Sequence, residues 1–241
     1  MSMKTISHDL NKFAISNGIP ADFSATVSDS HFDNVEVVFK NIEERLSNVI
    51  QEFQEGIIFG CVAWLTSKPI LKALSKCRNV QILVQKEDFL RPDLGAGEDC
   101  SWKKELRQLY GELQFSFSRN QCLAPIRSLS VCNDQRVDSI RCIGNHNSEK
   151  KPVFPRAHHK FLVFCKLSKH RRYIPVKLWT GSFNLTFNAT QSFENVLLLS
   201  DKSGKNKILN AYLKEHHHLF TLSEPLEWEK DWMSPEFRIG I

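Results

Sequence analysis

"IIFGCVAWLTSKPILKALSKCRNVQILVQ", residues 57–85, decides the fold. Residues 56–65 place Ile57, Ile58, Phe59 and Val62 in a run without polar alternation, the pattern of a strand buried on both faces. Ser67 followed by Pro69 predicts a short helix through Lys76, because proline in a first turn has no needed N–H to lose. "VQILVQ", residues 80–85, predicts a second strand.

Working outward, the same alternation continues. Upstream, residues 35–39 read as a strand, and residues 41–53 set Ile42, Leu46, Val49, Ile50 and Phe53 on one helical face. Asn41 with Glu44 resembles a capping box at the start of that helix. Downstream, "RPDLGAGED" at 91–99 is a loop by its proline and glycine content, and residues 102–113 form an amphipathic helix through Leu106, Leu109, Tyr110 and Leu113. Strands alternating with helices favour an α/β sheet with helices packed against it. Residues 118–155 then lose periodicity, which predicts a functional loop or an insertion. Strand signals return at 158–165, 174–180 and 193–199, and a helix is expected over 204–220, before an acidic tail with Trp228 and Trp232. With no repeat, low-complexity tract or linker, residues 1–241 read as one domain.

The 41% hydrophobic content supports a conventional core, and no apolar run approaches the eighteen or so residues of a spanning helix. The first residues, "MSMKTISHDLNKFAISNG", lack a secretory pattern, so a cytoplasmic chain without a membrane anchor is expected. Seven cysteines without CxxC pairs argue against a disulfide framework. Cys122, Cys132, Cys142 and His146 match no short zinc-ligand spacing, and no Walker-type loop is present; neither a metal nor another cofactor is expected. The formal charge is +5, unevenly spread. Seven basic residues against three acidic ones run from Arg119 to Arg156, and Lys166, Lys169, Arg171, Arg172 and Lys177 follow without an acid. A basic stretch is either a solvated loop or a polyanion surface.

Two short motifs carry the chemistry. In "FPRAHHKFLVFCK", residues 154–166, alternate side chains of an extended strand share a face, so His158 and Lys160 point one way and His159 the other. An imidazole beside an ammonium suits an anion, and a neutral imidazole can attack phosphorus while lysine holds a charged oxygen. Further on, Gly181-Ser182-Phe183-Asn184 follows a strand and sets a hydroxyl beside a carboxamide, and Glu194 stands ten residues past Asn184. The consecutive His216, His217 and His218 lie in a predicted helix, where they fan around the axis.

The order H-x-K, G-S-x-N, then a glutamate before an apolar strand resembles the phospholipase D superfamily, and the single motif copy resembles its small bacterial endonuclease branch. The resemblance spans roughly residues 152–200. It implies a mixed β-sheet flanked by helices, one motif copy per chain, a covalent phosphohistidine and no metal. Carried over by position, His158 is nucleophile or acid, Lys160, Ser182 and Asn184 hold the phosphate, and Glu194 orients the imidazole. Two departures stand out: Cys165 replaces an aspartate five residues after the lysine, and the step from Asn184 to Glu194 is one residue tight. By strand parity Cys165 faces away from His158.

Each motif occurs once, so chemistry that needs two histidines requires a homodimer with an isologous interface. The basic flanks, with Arg156, Lys166, Lys169, Arg171, Arg172 and Lys177 as substrate-binding candidates, suit a sugar-phosphate backbone. The expected function is a metal-independent endonuclease acting on DNA with little sequence preference. A phospholipid phosphodiesterase and a nucleic-acid-binding protein with a degenerate site are the alternatives.

Overall fold

The computed structural model describes residues 30–87, 90, 101–116, 138–145, 153–168 and 173–226, together with a two-stranded ribbon of β1 (Ile15–Ser16) and β2 (Ile19–Pro20). The remaining elements are β3 (Ser30–Phe32), β4 (Val35–Val38), α1 (Ile42–Gln51), β5 (Ile57–Val62), α2 (Lys68–Leu74), β6 (Val80–Gln85), α3 (Ser101–Gly111), β7 (Ile140–Ile143), β8 (Lys160–Leu167), β9 (Tyr173–Gly181), α4 (Phe187–Thr190), β10 (Val196–Ser200), α5 (Lys207–Thr221) and β11 (Glu224–Pro225).

Nine strands form one sheet in the order β11-β7-β6-β5-β8-β9-β10-β4-β3. β5, β6 and β7 run parallel, whereas β8 pairs antiparallel with β5 and begins an antiparallel half through β9, β10, β4 and β3. The architecture is therefore α/β, a mixed sheet flanked by helices. Every residue of β5 and of β6 is buried, because helices cover both faces. On one face Leu46, Ile50, Ile70 and Leu74 pack on Ile58, Val62, Ile82, Leu162 and Trp179. On the other, Leu209, Leu213 and Phe220 of α5 pack on Phe59, Leu83, Phe161, Val163 and Leu178.

Local chemistry explains most of the element boundaries. Ser67 has extended backbone and its hydroxyl accepts from Ile70 N at 3.2 Å, which with Pro69 starts α2. The capping box expected at Asn41 is corrected. Asn41 sits at φ 49, in the left-handed region, and makes no side-chain cap. A side-chain cap needs extended backbone at that position, so the left-handed turn excludes it.

Three further differences concern strands. The unreadable stretch 118–155 contains β7, which joins the sheet beside β6 with Ile140 opposite Ile82. β8 begins at Lys160 rather than 158, and β10 at Val196 rather than 193, so His158 and Glu194 lie just outside their strands. The acidic tail contributes β11 at its start, where Glu224 pairs with Lys86, whose side chain is 1% exposed. The loop expected at 91–99 and the two tail tryptophans lie outside the described residues. No helix among the described residues is long and apolar enough to cross a membrane.

Candidate active site

The end of β5 and the start of β8 are joined by an Ala63 N to His159 O hydrogen bond of 2.8 Å, and Val62 stands opposite Lys160. Residues directly opposed in a ladder share a face, so Lys160 lies on the side of Val62 and α1. Its ammonium returns to the preceding turn. Lys160 Nζ donates to His158 O at 3.0 Å and lies 3.2 Å from Nδ1 and 3.3 Å from Nε2 of the same imidazole.

This contact sets the protonation of the pair. The Lys160 charge, then burial, then Arg156 and His159 hold the His158 imidazole below its ordinary value of 6.5. Burial lowers the Lys160 ammonium too, and Glu194 opposes that. At neutral pH the imidazole is therefore uncharged and keeps one ring lone pair, while the ammonium 3.2–3.3 Å from both ring nitrogens can hold an anionic oxygen.

The second motif is built where β9 ends against β10. Ser182 N donates to Asn195 O at 3.0 Å and Asn195 N donates to Ser182 Oγ at 3.0 Å, closing the strand pair around Gly181. Ser182 Oγ in turn donates to the Glu194 carboxylate. Glu194 is thus held by Ser182 and felt electrostatically by Lys160. The structure places the glutamate against the serine, whereas the resemblance had it orient the imidazole. Asn184 Oδ1 is buried without a hydrogen-bond partner among the described residues, so that carboxamide oxygen is not engaged by the fold.

The remaining candidates divide. Arg156 donates to the Glu87 carboxylate, and Trp64 Nε1 donates to the same Glu87 oxygen at 3.1 Å. Trp64 and Glu87 are absent from the motif reading, since neither stands near the motifs in sequence. The signal that finds them is topological: both follow the carboxyl ends of parallel strands, where α/β sheets place their sites. Lys166 is not brought to the site. It is exposed at the far end of β8, and six strand residues at ~3.3 Å each put it about 20 Å from Lys160. Lys177 pairs with Glu52 at 2.5 Å. Lys169, Arg171 and Arg172 lie outside the described residues, as do Cys122, Cys132 and His146.

Cys165 belongs to the α5-side cluster with Phe161 and Val163, and burial raises its thiol, so it is inert and turned away from Lys160. His159 also turns to that side, with its Nε2 3.6 Å from Glu215 Oε1. Among the described residues no group of three metal-ligating side chains exists. A cavity of about 430 Å³ opens nearby between the first turn of α1 and residues 189–192. It contains none of the five motif side chains, and its wall carries Lys40 as well as Glu43 and Glu44.

No protein-family model matches the chain. It is 28% identical over 228 residues to uncharacterized protein L381 of Acanthamoeba polyphaga mimivirus, covering 92% of this chain and 74% of that protein. Among solved structures it is similar to Nuc, a phospholipase D family member from Salmonella typhimurium, at 16% identity and TM-score 0.46, covering 86% of this chain and all of that one. NucT from Helicobacter pylori is similar at 9% identity and TM-score 0.43, over 78% of this chain and 96% of that one. A phosphatidylserine synthase from Haemophilus influenzae is similar at 12% identity and TM-score 0.44, over 83% of this chain and 42% of that one.

Proposed function

We propose that the chain is a phosphodiesterase of the phospholipase D type that cleaves DNA as a homodimer without a metal ion. The observation that carries this reading is the Lys160 ammonium within 3.3 Å of both ring nitrogens of a His158 kept neutral. A neutral imidazole is the attacking form, and the adjacent cation sits where phosphate charge develops. Ser182 and Asn184 add neutral polar groups on the neighbouring strand end, and Glu194 fixes the serine.

In the proposed reaction a His158 ring nitrogen bonds to phosphorus as the bond to the leaving nucleotide oxygen breaks. The second protomer's imidazole, protonated, gives its proton to that oxygen. Water then attacks the phosphohistidine, the P–N bond breaks, and the second imidazole takes the water proton. The two rings begin equal, so the bound phosphate divides their roles. The preference for a nucleic acid over a lipid headgroup rests on the basic composition of the sequence around the motif, with Arg156 and Lys177 engaged by Glu87 and Glu52 and Lys166 carried away from the site.

Supercoiled plasmid incubated with the purified protein in excess chelator tests this. The proposal expects nicking that is lost in His158→Ala. A wild type that leaves both the plasmid and a single-stranded oligonucleotide intact, or equal cutting by the variant, overturns it. Headgroup release from anionic vesicles without plasmid cutting favours the lipid reading, and a salt-sensitive gel shift without cleavage favours a binding protein.

A further inference from the structure

Trp64 stands one residue from each motif. Its neighbour Ala63 bonds to His159 O at 2.8 Å, and its own carbonyl accepts from Leu185 N at 3.1 Å, next to Asn184. Trp64 is 40% exposed, although it follows a strand with no exposed residue. Its one polar atom is engaged: Nε1 donates to Glu87 at 3.1 Å, and the same carboxylate is bound by Arg156. The ring is therefore held by its edge, with only apolar ring face left for a ligand. Two further rings flank the second motif. Phe187, three residues past Asn184, is 66% exposed, and Phe193, directly before Glu194, is 63% exposed.

We infer that Trp64 is a stacking platform for an unpaired nucleobase adjoining the phosphate held at His158 and Lys160. The inference rests on the phosphodiesterase reading and adds the substrate class, a single-stranded nucleic acid whose bases are free to leave the stack. Flat apolar faces beside a cationic anion site are what an unstacked strand offers complements to, with its phosphates on the cations and its bases on the rings. A duplex keeps its base faces covered. Membrane insertion of the same aromatics is disfavoured by Trp64 itself. An interfacial tryptophan uses its N–H for lipid acceptors, whereas this one is tied to Glu87 and Arg156, two charges that insertion would carry toward hydrocarbon.

The test compares two single-stranded oligonucleotides of equal length, one with bases and one with abasic sugar-phosphate units, and a duplex. The readout is the rate ratio between the two single strands within each protein. Wild type is expected to cut the base-bearing strand faster than the abasic strand and than the duplex. In Trp64→Leu the preference for bases falls roughly 5- to 150-fold, the range of one lost stacking contact. Trp64→Phe, which keeps a ring, retains most of it and guards against a variant that fails to fold. An unchanged base-to-abasic ratio in Trp64→Leu, or a wild type that prefers duplex, overturns the inference. So does a defect of Trp64→Leu confined to headgroup release from vesicles. Wild-type failure on every strand, abasic included, instead sinks the underlying phosphodiesterase reading.

Discussion

Gly181→Ala and Gly111→Ala make the same chemical change at two places where the structure demands opposite outcomes. A methyl at Gly181 would lie 2.1 Å from Asn195 O and 2.8 Å from Val196 Cα, both backbone atoms of the neighbouring segment. Nothing there is a flexible side chain that could swing aside, so the end of β9 must part from β10 by about 1 Å to restore van der Waals distance. Overpacking of this kind costs ~1–3 kcal/mol, and the strain sits at the rigid end of that range. Alanine returns somewhat under ~1 kcal/mol by restricting the unfolded chain, leaving a net loss of about 2 kcal/mol. For a domain of this size that lowers the thermal midpoint by about 4–8 °C. At Gly111, the last residue of α3, a methyl meets nothing within 4 Å. There the change stabilises by up to ~1 kcal/mol, since alanine is the better helix former. Thermal and urea unfolding of both variants measure this, with plasmid cleavage as the second readout. Gly181→Ala should lose activity as well, because the displaced pair carries the two 3.0 Å bonds that hold Ser182. Unfolding of Gly181→Ala within ~0.5 kcal/mol of wild type, or both variants moving the same way, would show that the β9–β10 junction has room for the methyl.

Other expectations concern charge. In Lys160→Met the His158 titration midpoint, followed by NMR, rises, because the Lys160 charge is the largest cause of its depression. The acid limb of kcat/KM moves to higher pH with it, and the rate falls about 100- to 1,000-fold; a midpoint that stays or falls contradicts the assignment. Burial holds His216 well below 6.5 and lowers His217, whose Nε2 faces Tyr173 Oη at 2.8 Å, to about 4. Between 6.5 and 4 the unfolded chain binds protons that the folded chain refuses, so stability is full above 6.5 and falls as pH drops toward 4. His217 alone accounts for about 2.5 kcal/mol of that loss, read from urea unfolding at pH 7.5 and 4.5; a flat profile counts against the buried neutral pair. Glu224→Gln is expected to destabilise by weakening the 3.0 Å pairing of an ammonium that is 1% exposed, and by more than Lys86→Met, which takes that buried charge away. The reverse order in denaturation would show that β11 does not depend on this pair.

Much of the fold was legible because its elements are long and strongly patterned. β5 and β6 carry unbroken apolar runs, and the hydroxyl of Ser67 with Pro69 marks α2 without ambiguity. β7 was not legible, since four residues, "IRCI", are too few to establish a period and its partners are more than fifty residues upstream in β6 and more than eighty downstream in β11. Asn41 misled because the same residue type serves a side-chain cap and a left-handed turn, and only backbone φ separates them. At the site, the contact of Ser182 with Glu194 was not legible, since the resemblance gave the glutamate to the imidazole; the closeness of His158 to Lys160 follows from the H-x-K spacing, although His158 lies just outside β8. The Trp64–Glu87–Arg156 connection does not, because it joins three sequence-distant segments that meet only when parallel and antiparallel strands end side by side. Lys166 shows the converse: close in sequence to Lys160, it is carried away along the strand.

The most direct measurement of the catalytic proposal is peptide mass spectrometry of protein quenched in acid-free conditions during turnover of a single-stranded oligonucleotide. A phosphoryl-nucleotide adduct is expected on the peptide containing His158, formed and consumed at the rate of cleavage and missing from His158→Asn. Cleavage at full rate with that histidine unmodified throughout, or undiminished in His158→Asn, would contradict it.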